Sequence, residues 1–312
     1  MNDTPTTLDL LLVPGFAMMS YASLIEPFRA ANILAGRELY RWRHLSQGGA
    51  PVAASNGAAI VVDAGLADPS SFDTLFVLAA GRPDTLGDAA TFAYLRRAAR
   101  AGATLGGISA GPYLLARAGL LDGHRATIHW DHAPAFREAF PETPLEAGLY
   151  VIDRKRITCA GGVAALDLAL DLIAREHGSA LAHRVSEWFV AGSERTGGAV
   201  QRAPIAVASA PLARALAVIE ADPAAARDRA GLASAAGVSV RQLERLFAAH
   251  LGRTPGEHDR MLRIARADTL LRQTTLSVIE IAVACGFINA SHFARVFRRA
   301  MGQTPASARR RM

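Results

Sequence analysis

Apolar residues follow two different patterns along the chain. From about Leu8 to Val190, short apolar runs that end in glycine alternate with segments whose apolar residues recur at helical spacing. The runs are LDLLLVPG, TLFVLAAG and ATLGGISAG, and the helical segments are ASLIEPFRAANILAG, AATFAYLRRAARAG and GVAALDLALDLIAREHG. Beyond Pro211, the periodic segments all have helical spacing. The first pattern predicts alternating strands and helices, and the second predicts an all-α region.

Three regions follow from these patterns. Strand, glycine turn and helix in repetition are typical of an α/β doubly wound, flavodoxin-like parallel sheet, whose ligand sites lie at the carboxyl ends of the strands. We therefore expect a sheet domain over residues 1–192. Residues 193–210 are rich in small residues and have no clear period, which predicts a linker. Residues 211–312 form the predicted helical domain.

The helical domain contains an internal repeat. LASAAGVSVRQLERLFAAHLGRTP, residues 232–255, recurs as IAVACGFINASHFARVFRRAMGQTP, residues 281–305. The matched positions lie 49 and then 50 residues apart, so the second copy has one extra residue in its turn. Each copy has the pattern of a helix, a turn opened by glycine and a second helix. The repeat predicts two helix-turn-helix units, at about 229–250 and 277–300.

The second helix of each unit is predicted to be amphipathic. Its apolar residues lie at i, i+3 and i+4 and should face a core; they are Leu243, Leu246 and Phe247, and then Phe293, Val296 and Phe297. The opposite face carries residues suited to the edges of DNA bases, where arginine reads guanine bidentately. These residues are Arg241, Gln242, Arg245, Ala290, Ser291, His292 and Arg295. Ser239 and Asn289 are predicted to cap the two helices and to aim their N-termini at phosphates.

A single helix is predicted to connect the two units. Residues 256–273 have no break, and at 1.5 Å per residue they would span about 27 Å. A strut of that length would hold the two recognition helices about 34 Å apart, one turn of duplex DNA, so that both enter successive major grooves. The alternative is a plain helical bundle with a duplicated hairpin.

The net charge of +6 is concentrated in the helical domain. Residues 211–312 contain 16 arginines, no lysine and 8 acidic residues, a net charge of +8, which leaves −2 for the rest of the chain. This separation indicates that one domain meets a polyanion and the other does not. A basic face that is merely solvated remains the alternative.

Cysteine usage and hydropathy narrow the class of protein. Cys159 and Cys285 are far apart in sequence and lie in no metal-ligand spacing, so neither a disulfide nor a metal site is indicated. Cys159 is expected to be a small core residue. The N-terminus lacks the basic start of a secretory signal, and no apolar run reaches the roughly 18 residues needed to cross a bilayer. These features favour a cytoplasmic protein with no membrane contact, and no cofactor is indicated.

Residues 211–312 resemble the DNA-binding domain of the AraC/XylS family. The resemblance includes the Gly-Phe turn of the second unit and both G-x-T-P closures. It implies that the exposed residues of both recognition helices contact promoter DNA, and the matching positions are the capping and base-facing residues named above. Ala290 departs from the pattern, because an alanine offers only methyl contact.

A second motif lies in the predicted sheet domain. G-G-I-S-A-G, residues 106–111, stands between a strand and the helix PYLLARAGLL. It resembles the nucleophile elbow of PfpI-like and class I glutamine amidotransferase-like domains, where cysteine usually occupies the position of Ser109. GLLDGHRATIHWDH matches the segment in which such enzymes carry their histidine, here His129. The whole chain thus resembles the amidotransferase-like subgroup of AraC regulators. Its segments VPGFAMMSYASLIEPFRAAN, LYRW and ASNG are most similar to regulators of arginine, carnitine and glycine betaine catabolism.

Two uses of this elbow are open. Ser109 could be a nucleophile with His129 as its base and Glu26 as a loosely matched orienting acid, which would make the protein an amidase, peptidase or hydratase with a DNA-binding tail. Alternatively, the elbow is not catalytic, and its backbone near Ser109 and Ala110 binds the carboxylate of a small amino acid or betaine. We expect the second use, and no enzymatic activity.

The cationic end of such a ligand would need aromatic or acidic partners. Trp130, Tyr113 and Trp42 are candidates, although each could equally be an ordinary core or surface aromatic. His124 and His132 are expected to be surface or turn residues rather than ligands.

The sequence therefore predicts a ligand-responsive transcription regulator, and specifically an activator. Its expected partners are promoter DNA, a small-molecule effector and RNA polymerase, with a homodimer formed through the N-terminal domain. A third possibility is a DNA-binding protein whose N-terminal domain only dimerises and has no ligand.

Overall fold

A computed structural model describes residues 4–66, 73–82, 85, 87–191, 195–199, 201, 209–221 and 228–310. The chain divides into two compact units, Met1–Gln201 and Arg202–Met312.

The first unit contains eight described strands and six described helices. The strands are β1 (Thr6–Leu12), β2 (Tyr40–Leu45), β3 (Val52–Ala53), β4 (Ala59–Ile60), β5 (Thr74–Ala79), β6 (Thr104–Ser109), β7 (Tyr150–Asp153) and β8 (Arg156–Cys159). The helices are α1 (Met18–Ala35), α2 (Ala89–Arg100), α3 (Gly111–Arg117), α4 (Ala133–Ala139), α5 (Ala164–His177) and α6 (Ser179–Trp188).

Six of these strands form one sheet in the order β2-β1-β5-β6-β8-β7. The pairs from β2 to β8 are parallel, and β7 alone pairs antiparallel, at the edge. Helices flank the sheet: α1, α5 and α6 contact one another, and α2 contacts α3. The doubly wound α/β fold expected from the sequence is confirmed, with an antiparallel edge strand added.

One charged residue lies inside the apolar sheet. Asp9 on β1 is fully buried, and Arg43 on the neighbouring β2 donates to both of its carboxylate oxygens, at 2.8 and 2.9 Å. Asp9 and Arg43 are register partners in the β1–β2 pair. Because the pairing is bidentate, the cost of burying the carboxylate is offset locally.

Every regular element among the described residues of the second unit is a helix. Its helices are α7 (Ala210–Ala221), α8 (Arg229–Ala236), α9 (Val240–Leu251), α10 (Pro255–Gln273), α11 (Val278–Ala284), α12 (Ala290–Met301) and α13 (Pro305–Arg310). The pairs α8–α9 and α11–α12 lie at the two predicted helix-turn-helix units. The helix α10 is the expected connection, and it begins one residue earlier than expected because Thr254 caps it.

Part of the predicted linker packs on the first unit. The carbonyl oxygen of Gly197 accepts the N–H of Leu149 at 2.7 Å, and Arg195 pairs with Asp167 at 2.7 Å. The described part of the linker, residues 195–199, 201, 209 and 210, is thus ordered against the sheet unit up to Gln201 and helical from Ala210. The many small residues explain why this segment has the composition of a linker. Two polar side chains, those of Arg195 and Gln201, nevertheless attach it to the sheet unit. Residues 193, 194, 200 and 202–208 of the predicted linker lie outside the described structure.

No helix among the described residues has both the length and the hydropathy needed to cross a lipid bilayer.

Candidate functional site

The elbow at the end of β6 is built from glycines that leave no room for a side chain. A Cβ atom at Gly107 would lie 2.6 Å from the backbone nitrogen of Pro112, and one at Gly111 would lie 2.2 Å from the carbonyl oxygen of Val77. Both distances are far below those of real Cβ contacts. The helix α3 therefore packs directly on the strands, and the glycines of the motif are a packing requirement independent of any chemistry.

Ser109 occupies the tip of this elbow. Its φ is 61°, in the left-handed region, which costs a residue other than glycine about 1–3 kcal/mol. Ser109 is only 6% exposed. The loop after β8 covers it, since a Cβ atom at Gly161 would lie 2.7 Å from both the Ser109 Cβ and the Ser20 Oγ.

Ser109 lacks the arrangement of a nucleophile and its base. Among the described residues, its hydroxyl makes no hydrogen bond with His129, whose backbone N–H donates to the Ser109 carbonyl oxygen at 3.3 Å. The Nδ1 atom of His129 accepts the N–H of Asp131 at 3.3 Å. Burial, and then the neighbouring His132, lower the pKa of His129. The imidazole is therefore neutral at pH 7.

The backbone donor expected at the elbow is already used. The N–H of Ala110 donates to the carbonyl oxygen of Ala79 at 3.0 Å, and Ala110 is fully buried. The sequence suggested that this region would offer N–H groups to a ligand carboxylate, but the end of the β5–β6 pairing takes this one. A carboxylate bound near Ser109 needs a different donor.

Glu26, the candidate acid for orienting His129, interacts with a residue outside the elbow. It pairs with Arg29 on α1, with 2.6 Å between Oε2 and a guanidinium nitrogen. No hydrogen bond in the described part of the chain joins Glu26 to the elbow. The residue that α1 does bring there is Ser20, whose hydroxyl accepts the N–H of Gly162 at 2.7 Å. A buried serine within a helix carries no sequence signal that would have identified this contact.

Two of the three aromatic candidates fill the core. Tyr113 is 5% exposed and packs edge-on against Phe136 and Phe140, with ring centroids 6.0 and 5.0 Å apart. Trp42 lies on β2, three strands from β6, and packs half-buried against the core. Trp130 differs, because it is 44% exposed.

A hollow of about 170 Å³ lies beside the elbow, and we call it the elbow pocket. Its polar and aromatic lining residues are His129, Trp130, Arg195 and Gln201. Its other lining residues are Leu149, Ala160, Gly161, Val163 and Ala164. Drug-sized ligands occupy roughly 300 Å³ or more, so this pocket suits a small metabolite.

The remaining candidates near the sheet have structural positions. His124 lies in a turn with its Nδ1 3.4 Å from the Asp153 carboxylate. His132 lies in the turn before α4, one of the two positions predicted for it, and it is buried beside His129 rather than exposed. Cys159 is fully buried, as expected, and burial raises the pKa of its thiol to about 12.

The two helix-turn-helix units have matching turns. Gly237 ends α8 with φ 69°, and the Ser239 side chain then caps α9. Gly286 follows α11 with φ 71°, and the Asn289 side chain caps α12. Both N-caps predicted from the sequence are confirmed.

The repeated G-x-T-P motif ends one helix and starts the next. Gly252 ends α9 in the left-handed conformation, and Thr254 caps α10, whose first residue is proline. Gly302 and Thr304 do the same between α12 and α13. Glycine permits the left-handed turn and proline fits the first helical position, which explains why both copies keep the motif.

The recognition helices expose the predicted polar face. Leu243, Phe247, Phe293 and Phe297 are fully buried on the opposite face. The exposed residues are Ser239, Arg241, Gln242, Arg245, Asn289, Ser291 and Arg295, and Ala290 and His292 are half-buried. Within the described structure, no hydrogen bond or ion pair engages the guanidinium groups of Arg241, Arg245 and Arg295. These cations are free to meet an external anion.

Comparison with known proteins agrees with both halves of this geometry. Residues 10–175 match the DJ-1/PfpI family, and residues 232–311 match a helix-turn-helix domain. The HTH-type transcriptional regulator CdhR of Pseudomonas aeruginosa is 43% identical over 303 residues, covering 96% of this chain and 90% of that protein. GlxA of Rhizobium meliloti, another HTH-type transcriptional regulator, is 44% identical over 306 residues, covering 96% of this chain and 94% of that protein.

A crystal structure of an AraC family transcriptional regulator from Pseudomonas putida matches 59% of this chain and 100% of that chain, with a TM-score of 0.55 and 28% identity. The chain is an AraC-family transcription regulator with a DJ-1/PfpI domain. This AraC-family regulator binds DNA through its helix-turn-helix units. Over 72 residues it is also 40% identical to the HTH-type transcriptional activator RhaS of Escherichia fergusonii, covering 23% of this chain and 26% of that protein.

Two residues that line the elbow pocket of the AraC-family regulator could not be identified as site residues from its sequence. Arg195 and Gln201 lie in the segment interpreted as a linker, yet both line the elbow pocket. A signal was present, because the charged and amide side chains of Glu194, Arg195, Gln201 and Arg202 interrupt a stretch otherwise rich in small residues. Nothing in the sequence alone tied them to His129.

Proposed function

We propose that this regulator binds a small amino-acid-like or quaternary-amine metabolite in the elbow pocket, without turning it over, and that binding changes how it engages promoter DNA. The observation that carries the proposal is the pairing of an exposed indole, Trp130, with a guanidinium, Arg195, across one small hollow. An indole face attracts a cation, and a guanidinium donates two parallel hydrogen bonds to a carboxylate. One zwitterion satisfies both.

In this proposal Arg195, and not the Ala110 N–H, binds the carboxylate of the ligand. Its side chain is 44% exposed, and one face already pairs with the buried Asp167, which fixes its position. His129 adds a neutral ring beside Trp130, with centroids 5.2 Å apart. Ser109 lies next to Gly161 of the pocket lining, whereas Tyr113 and Glu26 are not among the lining residues.

The absence of turnover is part of the proposal. It is supported by the buried Ser109 hydroxyl, which has no hydrogen bond to His129 among the described residues. One observation favours the rival amidase, peptidase or hydratase: the left-handed φ of Ser109, as in a nucleophile elbow. Incubation with model amides and peptides separates the two. Turnover abolished by Ser109→Ala would establish the rival.

At the DNA, we propose that Arg241, Gln242 and Arg245 read bases in one major groove, and that Ser291, His292 and Arg295 read bases in the next. Ser239 and Asn289 would present their helix N-termini to phosphates, and Ala290 would make methyl contact. The helix α10 has 19 residues, which at 1.5 Å each gives about 28 Å, close to one turn of duplex.

We further propose that the protein acts as an activator that contacts RNA polymerase, and that it forms a homodimer through the sheet unit. The name of the activator RhaS, similar over the helix-turn-helix region, supports the direction of regulation.

A thermal-shift screen tests the effector class. Glycine betaine, carnitine, L-arginine and glycine are added to the full-length protein, and a ligand at 100 times its Kd should stabilise it by about 2.7 kcal/mol. Trp130→Ala should remove the response to betaine, and Arg195→Gln should remove the response to every carboxylate. The exposed Trp188→Ala on α6 is the control and should change neither. A response that survives both pocket variants would place the ligand elsewhere.

A further inference from the structure

The segment formed by residues 195–199 and Gln201, which we call the strap, is attached to the sheet unit by several polar contacts. In sequence it is the last part of the first unit, and the chain continues from Gln201 directly into the DNA-binding unit, which begins at Arg202. Any movement of the strap is therefore a movement of the point at which the second unit is tethered.

Gln201 holds the end of the strap through its side chain, and its backbone N–H also donates to the carbonyl oxygen of Ala147 at 3.3 Å. Its Nε2 lies 3.1 Å from Thr127 Oγ1, 2.8 Å from the Ile128 carbonyl oxygen and 2.9 Å from that of Gly148. Its Oε1 accepts the backbone N–H of Trp130 at 2.8 Å. This last bond ties the strap to the residue that supplies the indole of the elbow pocket.

Gly197 seats the middle of the strap against the sheet edge. Its carbonyl oxygen accepts the N–H groups of Leu149 and Tyr150, at 2.7 and 3.4 Å. A Cβ atom at Gly197 would lie 2.7 Å from the Tyr150 carbonyl oxygen, and one at Gly148 would lie 2.5 Å from the Gly197 carbonyl oxygen. The backbone thus fits a slot that only two glycines leave open.

The strap is also a wall of the elbow pocket, through Arg195 and Gln201. The pocket is complete only when the strap is seated, so a molecule that fills the pocket binds the seated state in preference to a displaced one. Ligand binding shifts the equilibrium by that difference in affinity, and the coupling is reciprocal.

We propose that the strap transmits effector occupancy to the DNA-binding unit, with Gln201 as the latch that holds it seated. The inference rests on the proposed function for the effector and its pocket. The effector stabilises the seated strap, and with an empty pocket the seated and released states are in equilibrium. Removing the Gln201 side chain shifts this equilibrium towards the released state in the absence of ligand.

The test compares Gln201→Ala with wild-type full-length protein, both without ligand. Hydrogen exchange should become faster at the amides of Trp130 and Leu149, which donate to the strap. The Kd for a duplex selected by the wild-type protein from a random library should change by about fivefold or more, the lower end of measured couplings. Gln47→Ala is the matched control, because the side-chain amide of Gln47 donates a hydrogen bond to Asp88, far from the strap in sequence. This variant should change neither the exchange rates nor the Kd.

Gly197→Ala displaces the strap by a different route and should shift both measurements in the same direction, so the test does not depend on one variant folding. Faster exchange in either variant with an unchanged Kd would overturn the inference, as would unchanged exchange. In a separate arm, glycine betaine should slow exchange at Trp130 and Leu149 in wild type and have a reduced effect on Kd in Gln201→Ala. If no probe shifts the wild-type melting temperature, the proposed effector class fails, while the ligand-free arm still decides the role of the strap.

Discussion

Arg214 donates two hydrogen bonds to the carbonyl oxygen of Ala236, at 3.2 and 2.6 Å, where α8 ends. Arg263, 49 residues further along the chain, donates to the carbonyl oxygen of Gly286 at 2.9 Å, just after α11. Helix ends leave carbonyl oxygens without partners, and arginine side chains satisfy them. The repeat therefore extends to the helix before each unit, which supplies an arginine to the first helix of the pair.

Replacing Arg214 with methionine keeps the aliphatic stem and removes this cap. We expect the free energy of unfolding of α8 and α9 to fall by about 1.5–3 kcal/mol, which is the contribution of a hydrogen bond to a charged group. Native-state hydrogen exchange at the amides of α8 and α9 measures the change without interference from the sheet unit. Arg241→Met, on the exposed face, should stay within about 0.5 kcal/mol of wild type. Equal effects of both substitutions would contradict the capping role.

Arg241→Ala and Arg295→Ala should each weaken specific DNA binding by about 1–3 kcal/mol and relax base preference at one position. The reason is that each guanidinium is exposed and has no partner within the described structure. Selection of binding sites from a random library measures the preference. Arg37→Ala, exposed in the sheet unit, is the control. Equal losses on every sequence would show that the two arginines contact only phosphate.

Gly111→Ala should destabilise the sheet unit by about 1–3 kcal/mol or more, because its Cβ would lie 2.2 Å from a backbone oxygen. Urea unfolding followed through near-ultraviolet circular dichroism gives the change in free energy. Gly48→Ala is the control, since a Cβ atom there meets nothing within 4 Å. A Gly111 variant as stable as the Gly48 variant would mean that α3 does not pack on β5 as described.

The lowered pKa of His129 predicts acid sensitivity. Burial disfavours the charged ring in the folded state, so the unfolded chain binds the proton first, at its ordinary value of 6.5. This contribution to stability is intact above that pH and declines as the pH falls below it. His124 and His258 have lowered pKa values too and add to the same trend.

His129→Gln should therefore reduce the fall in melting temperature between about pH 7 and pH 5. His183→Gln, exposed on α6, serves as the control and should follow the wild-type curve. A curve for His129→Gln that overlies wild type throughout would contradict this contribution.

Neither cysteine should react in the native protein. Cys159 and Cys285 are fully buried, and burial raises the pKa of the Cys159 thiol to about 12. A thiol reagent that absorbs on reaction should report two groups in urea and none in buffer. Rapid labelling of Cys159 in buffer would show that the loop covering the elbow opens.

The sequence predicted strands and helices correctly wherever the local pattern of apolar residues matches the way the chain packs. Glycine-terminated apolar runs became β1, β5 and β6, and the repeat located both helix-turn-helix units, because caps and turn glycines act within a few residues. Even the N-caps Ser239 and Asn289 could be assigned, since each bonds an amide only three residues away.

The contacts around the elbow and its pocket were harder to predict because the residues that make them are far apart in sequence. Ser20 reaches the loop at Gly162, and Gln201 reaches Thr127, through folding of the whole sheet unit rather than through any local rule. The N–H of Ala110 was likewise taken by Ala79 through strand pairing. Sequence indicated which kind of site to expect, while the register of the strands decided which atoms are available.

The residues that hold each recognition helix in place are distinct from those that its surface displays. Ser239 and Gly252 close the two ends of α9, and Leu243 and Phe247 anchor it, whereas the side chains of Arg241 and Arg245 are exposed and make no hydrogen bond or ion pair within the described chain. Descendants of this gene can therefore exchange the displayed side chains and drift towards new operators while the scaffold keeps its fold. Regulatory rewiring in such a lineage would require few compensating mutations.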